Sequence, residues 1–128
     1  MAHPSVVTLA HLRGKRIGVE TTALGALMLS RLLAAAGLSA ADVVKVPVTA
    51  DHHVGAYAER EVDVVITFEP MASQLEQVGM RRIFDSRQMP GEIIDVLVVR
   101  RGIAPQRLLP LLQAWERGRQ ALEHDPTA

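Results

Sequence analysis

Three short runs in this chain place carboxylates, hydroxyls and small residues where ligands are commonly held. They are Glu20-Thr21-Thr22-Ala23 with Gly25, then Thr49-Ala50-Asp51, then Thr67-Phe68-Glu69-Pro70. Each follows a β-branched apolar run and precedes apolar residues at helical spacing, so each reads as a strand-to-helix junction. A helix start leaves backbone N–H groups unpaired and carries the positive end of the helix dipole, which suits an anion. Thr21 and Thr22 either cap the helix or offer hydroxyls to a ligand, and Gly25 lets a ligand approach the backbone. Thr49 or Asp51 reads as the cap of a second helix. Phe68 either stacks on a ligand or fills the core. Glu69 either selects an amine or guanidinium or faces water, and beside an anion-friendly helix start it suits a zwitterion.

Other chemistries find little support. His52 and His53 are adjacent, cannot share one helix face, and have no third ligand near them in sequence, so no metal site is expected. The glycines Gly14, Gly18 and Gly25 do not form a dinucleotide fingerprint, and Gly14-Lys15 precedes a strand rather than a helix, unlike a phosphate loop. No serine sits at a glycine-flanked elbow. No cofactor is implied.

The elements that must position these residues alternate. Arg16–Glu20 reads as a first strand, with a helix from Leu24 to a left-handed cap at Gly37. That helix has little polar surface besides Ser30 and Arg31, which predicts cover on more than one side. Val43–Val48 is a second strand, interrupted by Pro47, and Val54, Tyr57, Ala58 and Glu61 mark a second helix. Val62–Phe68 is the candidate central strand, followed by a short helix through Met71, Leu75 and Val78. Met80–Asp85 and Ile93–Val99 read as fourth and fifth strands. Pro110 in mid-helix would cost about 3 kcal/mol, so the last helix is expected in two pieces, one turn at Pro105 and a longer run from Pro110. Residues 1–11 read as a loosely held lead-in. The pattern predicts an α/β domain with a mostly parallel five-stranded sheet, whose ligands bind outside the carboxyl ends of the strands. That rule gathers the three junctions onto one edge.

The chain has 128 residues, 48% hydrophobic, with formal charge summing to zero and no cysteine. Such a length supplies one domain, with a core near residues 12–123 and the whole of 1–128 as a single unit. Neutral charge disfavours nucleic acid as partner, and Arg81-Arg82 and Arg100-Arg101 read as solvated strand ends. The absence of cysteine excludes disulfides. No apolar run approaches the ~20 residues that span a bilayer, and no secretory signal is visible in the given sequence. One Trp, one Tyr and two Phe leave the core to aliphatic residues.

Three passages together resemble the substrate-binding proteins of nitrate/sulfonate/taurine-type ABC importers. They are Leu12-Arg13-Gly14-Lys15-Arg16-Ile17-Gly18-Val19, the stretch from Ala50-Asp51 through Val62-Asp63 to Phe68-Glu69-Pro70, and Asp85-Ser86 followed by Pro90-Gly91 and Asp95–Arg100. Arg60 stands where that family commonly ends a helix with glycine, and Phe68 where it commonly has tryptophan. The resemblance implies a three-layer sandwich, the second lobe of a two-lobed periplasmic-binding-protein fold. It also implies an extracytoplasmic location, an importer permease and a missing first lobe as partners, and a small anionic or zwitterionic ligand. Thr21 and Thr22 match the family's ligand-contacting loop.

Two other readings of the same architecture stay open. One is an enzyme of the menaquinone-pathway chorismate dehydratase kind, for which Glu20, Asp51 and Glu69 are the available carboxylates. The other is the effector-sensing part of a regulator. An isolated lobe would also expose an apolar hinge surface near the ends of the first and fifth strands, which predicts self-association.

Overall fold

The computed structural model describes residues 1–125, so the last three residues of the expected 1–128 unit lie outside the described residues. Two compact units divide the chain, Met1–Ile93 and Ile94–Ala128.

In the first unit, three parallel strands are ordered β2-β1-β3: β1 is Arg16–Val19, β2 Val44–Pro47 and β3 Val64–Val65. Helix α1, Ala23–Ala36, crosses from β1 to β2, and α2, His53–Ala58, crosses from β2 to β3. A third helix, α3, covers Met71–Gln77 after a cis Glu69–Pro70 bond.

Alternation across the short strands splits the core in two. Ile17, Val19 and Val64 pack with Leu29, Leu32 and Leu33 of α1 on one face. Val62 and Val65 pack with Ala56 of α2 and with Ala72 and Leu75 of α3 on the other. This is the expected helix–sheet–helix layering, and no Phe, Tyr or Trp is buried among the described residues. Helix α1 buries only Gly25, Leu29, Leu32 and Leu33, so its apolar surface is covered on one side rather than several. It starts with Thr22 accepting the Gly25 N–H at 3.0 Å and ends at Gly37 with φ +65°, as the sequence indicates.

The strand count differs from expectation: three rather than five. From the expected fourth strand, Arg81 makes a single antiparallel bridge to Ala2, and Ala2 bridges in turn to Val64. The lead-in is therefore not loose. Ala2 and Val6 are fully buried, and Ala2 exchanges two 2.8 Å backbone bonds with Arg81. Ile93–Val99 has a strand's composition yet forms no strand.

In the second unit, Pro105–His124 forms one continuous helix, α4, with Pro110 inside it rather than at the start of a second piece. A proline in the second turn forfeits one backbone bond, while the strong helix formers after it carry the helix on. No helix among the described residues is long and apolar enough to cross a membrane.

Candidate functional site

The sheet ladder continues just past the named strands, and that continuation builds the site. Val48 N–H donates to the Val19 carbonyl at 3.1 Å, and Ile66 N–H to that of Gly18 at 2.8 Å. Glu20, Thr49 and Thr67 consequently leave the sheet at the same edge. Two side-chain bonds tie the junctions together. Glu20 Oε1 accepts the Ala50 N–H at 3.1 Å, and Thr67 Oγ1 lies 3.0 Å from Nδ1 of His53.

A cavity of about 260 Å³ opens at this edge. Of the residues singled out from sequence, Glu20, Gly25, Thr67, Phe68 and Glu69 line it. Thr21 and Thr22 do not. They border a separate groove of about 600 Å³ between α1 and the β2 side, with Glu20 at the rim of both. Ala23, Thr49 and Asp51 line neither.

Several side chains are already engaged. Thr22 caps α1. Gly25 serves packing rather than ligand approach, since a Cβ there would stand 2.4 Å from the Glu20 carbonyl oxygen. Thr49, not Asp51, occupies the cap position of the turn leading into α2, and the side chain that satisfies this turn's first N–H is Glu20. The Asp51 carboxyl is held below its ordinary pKa, chiefly by the Thr49 hydroxyl.

Glu69 is not merely solvated. It accepts the Ser73 hydroxyl at 2.7 Å and the Ser73 N–H at 3.1 Å, and pairs with Arg82 at 3.2 Å. Those bonds, the Ser73 hydroxyl first, hold its carboxyl below the ordinary range. Phe68 is about half exposed and remains available for contact.

Two residues of the site escaped the sequence reading. Arg82 lines the cavity, bridging Glu69 and Glu76, both at 3.2 Å, instead of simply standing in solvent. Neighbours in an extended stretch point to opposite faces, so an Arg-Arg pair there must send one guanidinium to each side. That was the available signal. His53 is buried completely, and adjacency to His52 concealed it. No group of three or more His, Cys, Asp or Glu side chains among the described residues could hold a metal.

The NMT1/THI5-like family model matches residues 2–128. The chain belongs to that family. Among solved structures, this NMT1/THI5-like chain is similar to the alkanesulfonate-binding protein SsuA of Xanthomonas axonopodis pv. citri, determined with MOPS bound. Identity there is 32% and TM-score 0.52, over 56% of this chain and 25% of that one. It is also similar to the periplasmic aliphatic sulphonate-binding protein SsuA of Escherichia coli, with 25% identity and TM-score 0.61 over 70% of this chain and 30% of that one. No curated protein matches. The relationship expected from the three sequence passages is thereby shown, and the α/β fold is that of one lobe of a periplasmic binding protein. This family member spans 25% and 30% of the two solved chains.

Proposed function

We propose that this segment is a ligand-binding lobe of an extracytoplasmic solute receptor serving an ABC importer, and that it takes a small sulfonate, preferably a zwitterionic one. The cavity at the carboxyl edge carries this reading, because it places a guanidinium, a helix start and carboxylates around one small volume. Arg82 stays charged, its pKa raised by Glu69 and Glu76. With the amino end of α1 it favours the sulfonate group. Glu20, at the same wall, favours an amine at the ligand's other end. Family membership and two solved relatives named for sulfonates support the ligand class.

Glu69 fits a binding role better than general-base work. Glu69 is held ionised by three donors, and a lowered pKa makes a weak base at neutral pH. At about 260 Å³ the cavity falls below the ~300–1,000 Å³ usual for small-molecule pockets, so a complementary first lobe would complete the cleft and affinity for the lobe alone should be poor.

Amide-resolved NMR titration of the 128-residue chain with aminoethanesulfonate, propanesulfonate and nitrate tests this. Sulfonates should move the Glu20, Gly25, Thr67 and Phe68 signals, and Arg82→Gln should weaken the response. Flat titrations with every ligand would end the reading.

A further inference from the structure

His53 sits at the start of α2 with its imidazole wholly enclosed, Nδ1 lying 3.0 Å from Thr67 Oγ1 and Nε2 having no hydrogen-bond partner. Thr67 is a wall of the cavity described above. Burial holds the ring below its ordinary pKa, outweighing the Val48 carbonyl, Glu20 and Asp51, which favour the imidazolium. The neutral ring carries one proton, and the two tautomers treat Thr67 in opposite ways.

With the proton on Nε2, that buried N–H finds no acceptor in hydrogen-bonding geometry, the Val48 carbonyl beside the ring included, and Nδ1 consumes the threonine's own proton. With the proton on Nδ1, only a lone pair is orphaned, and Nδ1–H donates to Oγ1. Orphaned buried N–H groups are the rarer of the two in folded proteins. The threonine geometry agrees, because Oγ1 has a donor's arrangement toward the Phe68 carbonyl at 3.4 Å, too long to hold the proton strongly.

We propose that His53 is a positioning residue that donates from Nδ1 to Thr67 and so leaves the threonine hydroxyl free to donate to an oxygen of a bound sulfonate. The inference rests on the sulfonate reading for its ligand, but not for its tautomer. A residue with no access to the cavity thus fixes whether the wall at Thr67 offers a proton or a lone pair.

The test has two arms. Long-range nitrogen–proton NMR of the His53 ring in the wild-type chain should show Nδ1 protonated and Nε2 bare, whereas the reverse pattern overturns the proposal. In the second arm, aminoethanesulfonate affinity is measured for His53→Leu, His53→Asn, Thr67→Val and the His53→Leu/Thr67→Val pair. His53→Leu should weaken binding about two- to tenfold, the value of one hydrogen bond. His53→Asn, whose amide can donate from near the Nδ1 position, should restore most of it. In the Thr67→Val background His53→Leu should have no further effect. An equal loss in both backgrounds would show a merely structural histidine and overturn the proposal. If the wild type binds no sulfonate, the ligand reading falls by itself and the ring spectrum alone decides the tautomer.

Discussion

Asp63 holds Arg16 at three points: its Oδ2 accepts the Arg16 backbone N–H at 2.9 Å and Nε at 3.2 Å, and its Oδ1 accepts Nη2 at 3.0 Å. Arg16 opens β1 and Asp63 immediately precedes β3, so this contact sets the register of the two strands whose far ends carry Glu20 and Thr67. Asp63→Ala should destabilise the chain by about 1–3 kcal/mol, mainly by leaving the Arg16 N–H without an acceptor. The Arg16 side-chain bond holds the Asp63 carboxyl below its ordinary value of 3.8. A depressed carboxylate stabilises fully above its unfolded pKa and loses that contribution as pH falls through the folded one. Urea denaturation should show the wild-type advantage over Asp63→Ala intact at pH 7 and shrinking in strong acid.

Gly25→Ala tests how tightly α1 lies on the first junction. The new Cβ would stand 2.4 Å from the Glu20 carbonyl oxygen and 3.0 Å from Val19 Cγ2, one of them backbone that cannot swing aside. Overpacking of this kind costs about 1–3 kcal/mol. Denaturation midpoints should fall accordingly, and the Ala50 amide signal should shift because Glu20 can no longer reach it unchanged.

Arg60 has φ +59°, a left-handed conformation that costs a side-chain-bearing residue about 1–2 kcal/mol. Its carbonyl, which accepts a bond from Arg16 Nη1 at 2.6 Å, would be retained by any residue. Arg60→Gly should therefore stabilise the chain by about 0.5–1 kcal/mol after the extra entropy of an unfolded glycine is deducted. A thermal midpoint that stays put or drops would contradict this.

The sequence made some of this legible and hid the rest for identifiable reasons. Thr22 and Gly37 bracket α1 as written, because cap chemistry is local and a few residues decide it. The convergence of Glu20, Thr49 and Thr67 also followed, since parallel crossovers leave little freedom in where strand ends emerge. Strand number did not follow. Met80–Asp85 and Ile93–Val99 have strand composition, but a strand needs a partner, and of these residues only Arg81 finds one, in a single bridge to Ala2. Division of the candidate residues between two cavities was equally hidden, because it depends on which side of α1 each threonine faces. The roles of Glu69 and Arg82 required a partner thirteen residues away in the chain, beyond the reach of any periodicity.

His53 predicts a pH dependence opposite to that of a paired histidine. Burial lowers its pKa from the ordinary 6.5, while Glu20 and Asp51 pull upward and the Met1 ammonium pulls downward with burial. Between the folded and unfolded pKa values the unfolded chain binds more protons, so the histidine's own contribution is full above about 6.5 and declines as pH falls below it, added to the decline that the buried Met1 amino group, lowered from 8.0 to about 6, brings from about pH 8 downward. His53→Leu should flatten that part of the stability curve. Parallel curves for the two chains would show that the decline comes from elsewhere.

Ile94, Val96 and Val98 are 72%, 74% and 83% exposed. They recur at every second position of a segment that has strand composition and no strand partner, so in extended conformation they share one face. An apolar face of that kind next to unpaired backbone is a template for pairing with another chain. Sedimentation velocity should show self-association growing with concentration, and Val96→Lys should suppress it by placing a charge mid-face while leaving the cores of Met1–Ile93 untouched. The same substitution should leave the sulfonate-induced shifts at Glu20 and Thr67 in place, since the cavity is lined entirely by residues before Ile94. A monomer at every concentration would show that these side chains are tolerated in water and that the expected apolar hinge surface is not adhesive.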